Sequence, residues 1–548
     1  MKTNTKIISY SWLFILCNIL IAGCTSGFLD RKPVGAVDGS VYLNSENGAY
    51  KLLMNCYSPI LNDWNFQQMH FDMGDQLTDD CMKGGSDAAD RVVITEVSRG
   101  NPPATSSMLR DLWNHRYSAI SNCNVFLANV NPDSKAIGTG GAIVSKEEIL
   151  RWIAEAKFLR AFYYFDLAVM FQNVPLIDHP LTATEKQSIA KSDRDAVKEF
   201  ILKDLSEAIS EPNLPSSNNI PKTYFGRVSK EAAMSFRARV NMFFGNDQAA
   251  IPDLKSVVES GLFGLVDDYE TLFNSASDGY MSEEAIFLTP RAYIPNYTSG
   301  SVVPQMCIGR NNTGGWGGEC PTKDLLNEYE LGDPRKTHTI MSSGDIFYKA
   351  DGVSTELHDY SGYDDFSLQH NRKLWVDYSR RPDGNLMHTD WSFFHIRYAD
   401  VLLMYAECII ETNGDKQLAV DLINKVRHRA FVTTSPTDRY AQYRKLNIPE
   451  NERINEQIFN EKYKVKVTDD LRAAIRHERR VELAGEGLRL YDLLRWNIFV
   501  PTMRAFGKTD EGAYSGTGTN VTDKTWPYPI PQTEIDYVGG SLTQNDNY

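Results

Sequence analysis

Apolar residues recur at three- and four-residue steps along several stretches of the chain, as helices that bury one or more faces require. In EEILRWIAEAKFLRAFYYFDLAVMF, Ile149, Trp152, Ala156, Leu159, Tyr163 and Leu167 form one apolar line, and Phe158, Phe162, Phe165 and Val169 form a second. A helix that is apolar on two faces must be covered on two sides. IRYADVLLMYAECIIETNG repeats the design, with Tyr398, Val401, Tyr405 and Cys408 on one line and Ala399, Leu402, Ala406 and Ile409 on another. Asn413-Gly414 stops that helix, and DKQLAVDLINKVRHRA follows as a return helix. In the same way SKEAAMSFRARVNMFFGND stops at Gly245 and QAAIPDLKSVVES comes back.

Two-sided helices joined by short Gly, Asn and Asp turns predict stacked helical hairpins. The period is irregular and long loops separate the pairs, so the expected fold is mostly α: a tetratricopeptide-like helical-hairpin scaffold decorated by a long loop-rich region. From about Thr271 to Asp390 the chain is rich in Gly, Ser, Asn, Asp and Tyr and shows little periodicity. Loops of this length in a compact domain are functional or disordered, and their many aromatics argue against disorder.

The N-terminus has its own pattern. Lys2 and Lys6 precede a mostly apolar run, Ile7 to Ile21, of about 15 residues. That is short of the roughly 20 that span a bilayer as a helix, and with Ala22 and Gly23 behind it the run reads as a secretory signal. Ile21-Ala22-Gly23-Cys24 resembles the lipobox of bacterial lipoproteins, which implies cleavage after Gly23 and acylation of Cys24. The expected organisation is a signal over residues 1–23 and a single domain over 24–548. Its scaffold lies mainly in 40–270 and 393–500, with a loop-rich insertion at about 271–392.

Losing Lys2 and Lys6 with the signal moves the net charge from −14 to −16. Such a surface repels phosphate backbones and excludes nucleic acid as an expected partner. Cys56, Cys81, Cys123, Cys307, Cys320 and Cys408 remain, none in a CxxC pair, so structural thiols are expected rather than a zinc site. Cys307 and Cys320 flank a loop and are the one pair that could bridge.

Five stretches resemble the SusD/RagB family of Bacteroidetes outer-membrane nutrient-binding lipoproteins: FLDRKPVG after Cys24, EAKFLRAFYYFDLAVMFQNVPLI, RYADVLLMYAECI, RHERRVELAGEGLRLYDLLRW and YPIPQTEI. They occur in the family's order and run from Cys24 to Ile535. The resemblance implies four tetratricopeptide-like units, a loop-rich ligand-binding face, and a lid on a partner TonB-dependent (SusC-like) transporter in the outer membrane. The lipid anchor at Cys24 would then hold the protein there, facing outward. Most relatives capture oligosaccharides, and some resemble peptide-capture lids.

Candidate ligand residues follow from this combination. Trp316 in NNTGGWGGE lies between glycine pairs that disfavour helix and strand, so it belongs to a loop. There it is either a platform for the apolar face of a sugar ring or a plug folded into the body. Trp64 in NDWNFQQMH has amide neighbours, Asn65 among them, that suit sugar hydroxyls. Asp79 and Asp80, in GDQLTDDCMKGGSD with Asp75 and Asp87, could accept from vicinal hydroxyls, although helix capping and turn-making are commoner uses. Their spacing lacks a full calcium loop, and no metal or cofactor is expected. Tyr293, Tyr297, Tyr363 and Trp375 are further aromatic candidates in the loop region.

Trp113, with Leu109 and Tyr117 at four-residue spacing, reads as core. The pairs Arg479/Glu482 and Arg489/Asp492, three apart, read as a structural ion network. HExxH, GxSxG and Walker sequences are absent, and neighbouring acids such as Glu283-Glu284 do not readily flank one glycosidic bond. The expectation is therefore a non-catalytic glycan-binding lipoprotein. A peptide-capture lid, a helical assembly scaffold and a surface glycoside hydrolase are the competing readings.

Overall fold

A computed structural model describes residues 45–548 apart from 86–88, 222–223, 275–281, 293, 295–299, 310–313, 349–354, 358–368, 377–380, 382–385 and 435–453. Among the described residues the principal helices are α1 (Gly48–Tyr57), α2 (Ser107–Asn129), α3 (Lys146–Phe171), α4 (Arg194–Ser210), α5 (Lys230–Phe243), α6 (Asp247–Glu259), α7 (Tyr398–Glu411), α8 (Lys416–His428), α9 (Leu471–Leu483), α10 (Arg489–Arg495) and α11 (Gln532–Val538). They stack in chain order: α2 on α3, α3 on α4, α4 on α5, α5 on α6, α6 on α7, and α7 on both α8 and α9. The result is the mostly α, tetratricopeptide-like scaffold expected from the periodicity.

The α3 helix shows how this stack forms. Ser145 caps it by accepting from the Glu148 N–H at 3.1 Å, and Glu147 and Glu148 sit in the first turn, where the helix dipole favours negative charge. Every residue from Phe158 to Phe171 is buried, so the two apolar lines are covered by neighbours on all sides. The polar residues caught inside are paired across helices: Arg160 with Asp204 of α4, Asp166 with Arg116 of α2, and Glu155 with Arg227. Asn413, at φ 54°, turns α7 into α8, and Asp415 caps the return helix by accepting from the Gln417 and Leu418 N–H groups.

Eight short strands form four two-stranded antiparallel ladders among the described residues: β1 (Cys81–Lys83) with β3 (Glu319–Pro321), β2 (Ala285–Thr289) with β8 (Phe393–Arg397), β4 (Ile340–Ser342) with β7 (Gln369–Asn371), and β5 (Ile346–Tyr348) with β6 (Thr355–Leu357). Phe287 of β2 meets Phe158 and Phe162 of α3 edge-on, which joins the sheet to the helical core. A second apolar cluster, with Phe71, Val303, Met306, Trp375, Trp391 and Phe393, gives the loop region its own support. The six described cysteines are all buried and none is in a disulfide, so Cys307 and Cys320 do not bridge.

The charged stretch around α9 forms a buried ion network, with different pairs from those the spacing suggests. Arg479 bonds Asp492 at 2.9 Å and Asp400 at 2.9 Å, while Glu482 accepts from Arg335 at 2.9 Å and from Arg397 at 2.7 Å and also pairs with Arg429. Arg489 bonds Asp79, not Asp492. Three-residue spacing puts two side chains on one helix face, but the elements packed across that face choose the partners. Burial would raise the Glu482 pKa; Arg429, Arg397 and Arg335 outweigh it and hold the carboxyl at about 2.

Candidate functional site

Trp64 stands on a π-helical turn, Asp63–Gln68, whose start is fixed by Asn62: its Oδ1 accepts from the Asn65 N–H at 2.8 Å. The turn is tied down from both sides. Asp63 pairs with Arg291 and accepts from the Val302 N–H at 2.8 Å, which binds it to the loop region. Beneath it, Phe66 is buried with the Arg116 guanidinium 4.0 Å from its ring centre, and Arg116 donates to the Asn65 carbonyl at 3.1 Å. Phe66 and Arg116 hold the backbone, and the Trp64 indole is left outside, 53% exposed.

Trp316 reaches the same place from the other direction. Its loop lies along Gln305–Gly309 through backbone bonds: Trp316 N–H to the Gln305 carbonyl at 2.7 Å, Gly317 N–H to Ile308 at 2.7 Å, and Gly318 N–H to Met306 at 2.9 Å. Two glycines show why the sequence is so poor in side chains here. A Cβ on Gly315 would sit 2.2 Å from the Ile308 carbonyl oxygen, and Gly317 has φ +68°, where a side chain is strained. The backbone makes the loop's contacts, so the one large side chain is free to face outward, and Trp316 is 40% exposed.

The two indoles meet. Their ring centroids are 5.7 Å apart and their planes inclined by 34°, which makes one angled aromatic surface from two distant stretches of chain. Asn65 lies exposed beside Trp64, and among the described residues its side-chain amide makes no hydrogen bond, so it can both donate and accept at the edge of that surface. His115, next to Phe66, is held neutral: burial and then the Arg116 charge lower its pKa to about 4. An uncharged aromatic surface with one free amide beside it suits a neutral, ring-shaped, hydroxyl-rich ligand.

The other candidates lie elsewhere. Asp79 and Asp80 are buried, 3% and 1% exposed, and are engaged by arginines: Asp79 with Arg489 at 2.8 Å, and Asp80 with Arg480 at 2.7 Å. Burial would raise the Asp79 pKa, but Arg489 and Arg480 hold it well below the usual carboxylate range. Both carboxylates brace the scaffold and cannot meet a surface ligand. Trp375 is also corrected: it is 2% exposed in the second apolar cluster, with the Arg381 guanidinium 4.4 Å from its ring. Tyr293, Tyr297, Tyr363, Asp87 and Cys24 lie outside the described residues. Glu284 is fully buried between Arg397 and Arg429, which removes half of the Glu283-Glu284 pair from any surface chemistry.

Sequence reading passed over the residues that seat the two tryptophans. Asp63, in the first turn after Asn62, was the available signal; Arg291 and Arg116 gave none, because their partners come from distant segments. Directly after the Trp316 loop, Glu319 is buried beside Asp75. Burial pushes both carboxyls up, Glu319 to about 7.

Comparison with known proteins agrees with this architecture. The family model described as "SusD family" matches residues 283–548, and one described as "Starch-binding associating with outer membrane" matches residues 28–242. A SusD-like protein of Formosa agariphila is 24% identical, over 96% of this chain and 97% of its own. Among solved structures, a SusD-like carbohydrate-binding protein of Bacteroides fragilis superposes with a TM-score of 0.67 at 27% identity, covering 90% of this chain and 99% of that one. A laminarin-binding SusD-like protein superposes with a TM-score of 0.68 at 26% identity, covering 92% and 100%.

Proposed function

Because the chain belongs to the SusD family, we propose that it is a non-catalytic glycan-binding lipoprotein of the cell surface. In this reading Cys24 anchors it in the outer membrane, and it captures oligosaccharide and delivers it to a partner TonB-dependent transporter. The observation that carries the binding reading is the contact between Trp64 and Trp316, two half-exposed indoles brought together from separate elements with a free amide at their edge. A relative of similar fold is named for binding laminarin, which makes a neutral glucan the first ligand to test.

Stacking a sugar ring on one indole buries ~50–75 Å² of apolar area, which contributes roughly 1–2 kcal/mol. Two such faces and a few hydrogen bonds put the isolated protein in the micromolar to millimolar range, weak enough to release its cargo inward. The 34° inclination favours a chain whose successive rings turn relative to one another over a flat ribbon.

Affinity electrophoresis against a panel of purified polysaccharides tests the reading. The expected result is retardation by at least one neutral glucan, lost in the Trp64→Ala, Trp316→Ala double variant while the melting temperature holds. Retardation by none of the panel, with oligopeptides captured instead, would replace the glycan with a peptide. Release of reducing ends by the pure protein would overturn the non-catalytic part.

A further inference from the structure

Away from the tryptophan pair, a cleft of about 390 Å³ opens between α2, the extended segment at 175–181 and the C-terminal helix α11. None of its lining residues belongs to the turns that carry Trp64 or Trp316, and nothing in the glycan reading uses it. The volume is in the range of small-molecule sites.

Its floor is aromatic. Trp113 and Tyr117, one turn apart on α2, have ring centroids 4.9 Å apart with planes at 49°, forming a corner of two rings. The Tyr117 hydroxyl donates to the Pro175 carbonyl at 2.8 Å, which fixes that ring. Tyr537 of α11 stands at the mouth, 69% exposed. Glu534, on the same helix, puts a half-buried carboxyl into the cleft. Among the described residues its only partner is the hydroxyl of neighbouring Thr533 at 3.4 Å, and no Lys, Arg or His pairs with it. Burial raises its pKa, as it does for any carboxylate without a cation beside it. Lys186 lies at the rim, and His179 beside it is already bonded to Asp178 and Glu185.

We propose that this cleft is a second ligand site, which takes an alkylated ammonium group against the partly exposed Tyr117 ring, backed by the buried Trp113, with Glu534 as its counter-charge. Ring faces attract organic cations electrostatically, and an unpaired, partly desolvated carboxylate adds the charge that a neutral ligand would not use. Ile120, Ile177 and Val538 in the walls offer apolar contacts to the methyl groups of such a cation. The same chemistry is found in a free amine and in a zwitterionic head group, and Lys186 is placed to receive the anionic half of the latter.

The test is calorimetric titration of the full chain with choline, with its neutral isostere 3,3-dimethylbutan-1-ol, and with phosphocholine. Choline is expected to bind saturably at millimolar concentrations, with the isostere and the Glu534→Gln variant each weaker by about tenfold or more. Phosphocholine binding more tightly than choline, with the advantage lost in Lys186→Gln, assigns the zwitterionic source; equal binding assigns a simple ammonium. Choline and its isostere binding alike, or choline binding unchanged in Glu534→Gln, overturns the proposal, as does the absence of saturable choline binding. Tyr537→Ala is a second variant on an exposed side chain, expected to weaken choline without altering the fold. Polysaccharide retardation should be unchanged in Glu534→Gln; its loss would make the cleft part of the glycan site and refute a second one.

Discussion

The helix α3 and the loop at 314–318 both carry aromatic side chains, and the fold uses them in opposite ways. In α3, Phe158, Phe162, Tyr163, Tyr164 and Phe165 all disappear into the core because helices cover every side of the cylinder. In the loop, the neighbours of Trp316 are glycines whose backbone makes the contacts, so the ring stays 40% exposed and meets only one other indole, Trp64, among the described aromatic contacts. Aromaticity is shared, and exposure is decided by what the flanking residues leave room for. A helix that is mostly apolar all round, as α3 is from Phe158 to Phe171, must be packed all round; a backbone-bonded loop can press one edge against the body and show a side chain on the other.

The sharpest way to break this comparison is to damage α3. Phe158 is fully buried among Phe162, Phe236 and Phe287. Phe158→Ala is expected to lose about 3–5 kcal/mol of stability through lost transfer energy and the cavity left behind. Chemical denaturation should show this as a lower midpoint, with the protein that remains folded binding glycan as before. Loss of binding without loss of stability would mean that α3 shapes the site directly.

An intermediate effect is expected where backbone contact itself is attacked. In Gly315→Ala the new methyl would collide with the Ile308 and Gly309 carbonyl oxygens, at 2.2 and 2.6 Å. The loop must move, at a cost of about 1–3 kcal/mol, and Trp316 moves with it. Glycan affinity should therefore fall as far as in a tryptophan deletion, although the tryptophan is still present. Unchanged affinity would show that the loop's position is not what presents the ring.

Removing the ring alone is the cleaner and smaller change. Trp316→Ala is expected to weaken glycan binding by about tenfold, ~1.4 kcal/mol, with the melting temperature unmoved. Trp64→Ala should do the same, and because the two indoles touch, the double variant should lose less than the sum of the two. A melting temperature that drops with Trp316→Ala would make the ring a plug.

What could be read in the sequence divides along the same line. The helices α3, α5, α6, α7 and α8 were legible because burial on one or more faces repeats with the helical period, and their turns carry their own marks at Gly245 and Asn413-Gly414. Trp316 was legible as a loop residue because four glycines surround it. That it would meet Trp64 was not, since contact between distant segments depends on ties such as Asp63 to Arg291 that leave no periodic trace. Asp79 and Asp80 show the converse error. A run of acids in a polar stretch looks solvated, but Arg480 and Arg489, about 400 residues away in sequence, draw both inside. Trp375 failed for a related reason: the loop region has a core of its own, and a low density of apolar residues hid it.

The smallest expected effect concerns a residue that belongs to neither extreme. His477, on α9, bonds Glu328 at 2.6 Å and lies 3.5 Å from Glu330, with Arg480 bonded to the far oxygen of Glu328. Burial opposes its charge, but the bonds to Glu328 and Glu330 prevail and hold the imidazole pKa up at about 9. Between the unfolded value of 6.5 and this folded value the native state binds more protons than the unfolded one, so stability must fall as pH rises through that window. The contribution is complete below pH ~6.5, gone above pH ~9, and worth about 1 kcal/mol after allowance for partial exposure. His477→Gln should flatten the stability profile between those limits and leave glycan binding at pH 7 untouched, because the ion pair ties α9 to the 328–330 segment and not to either tryptophan. A profile that keeps its slope in the variant would move the proton uptake to another group. A pH-dependent change in glycan affinity that vanishes with His477 would show that the scaffold's charges reach the aromatic surface, and the separation between the two regions would then fail.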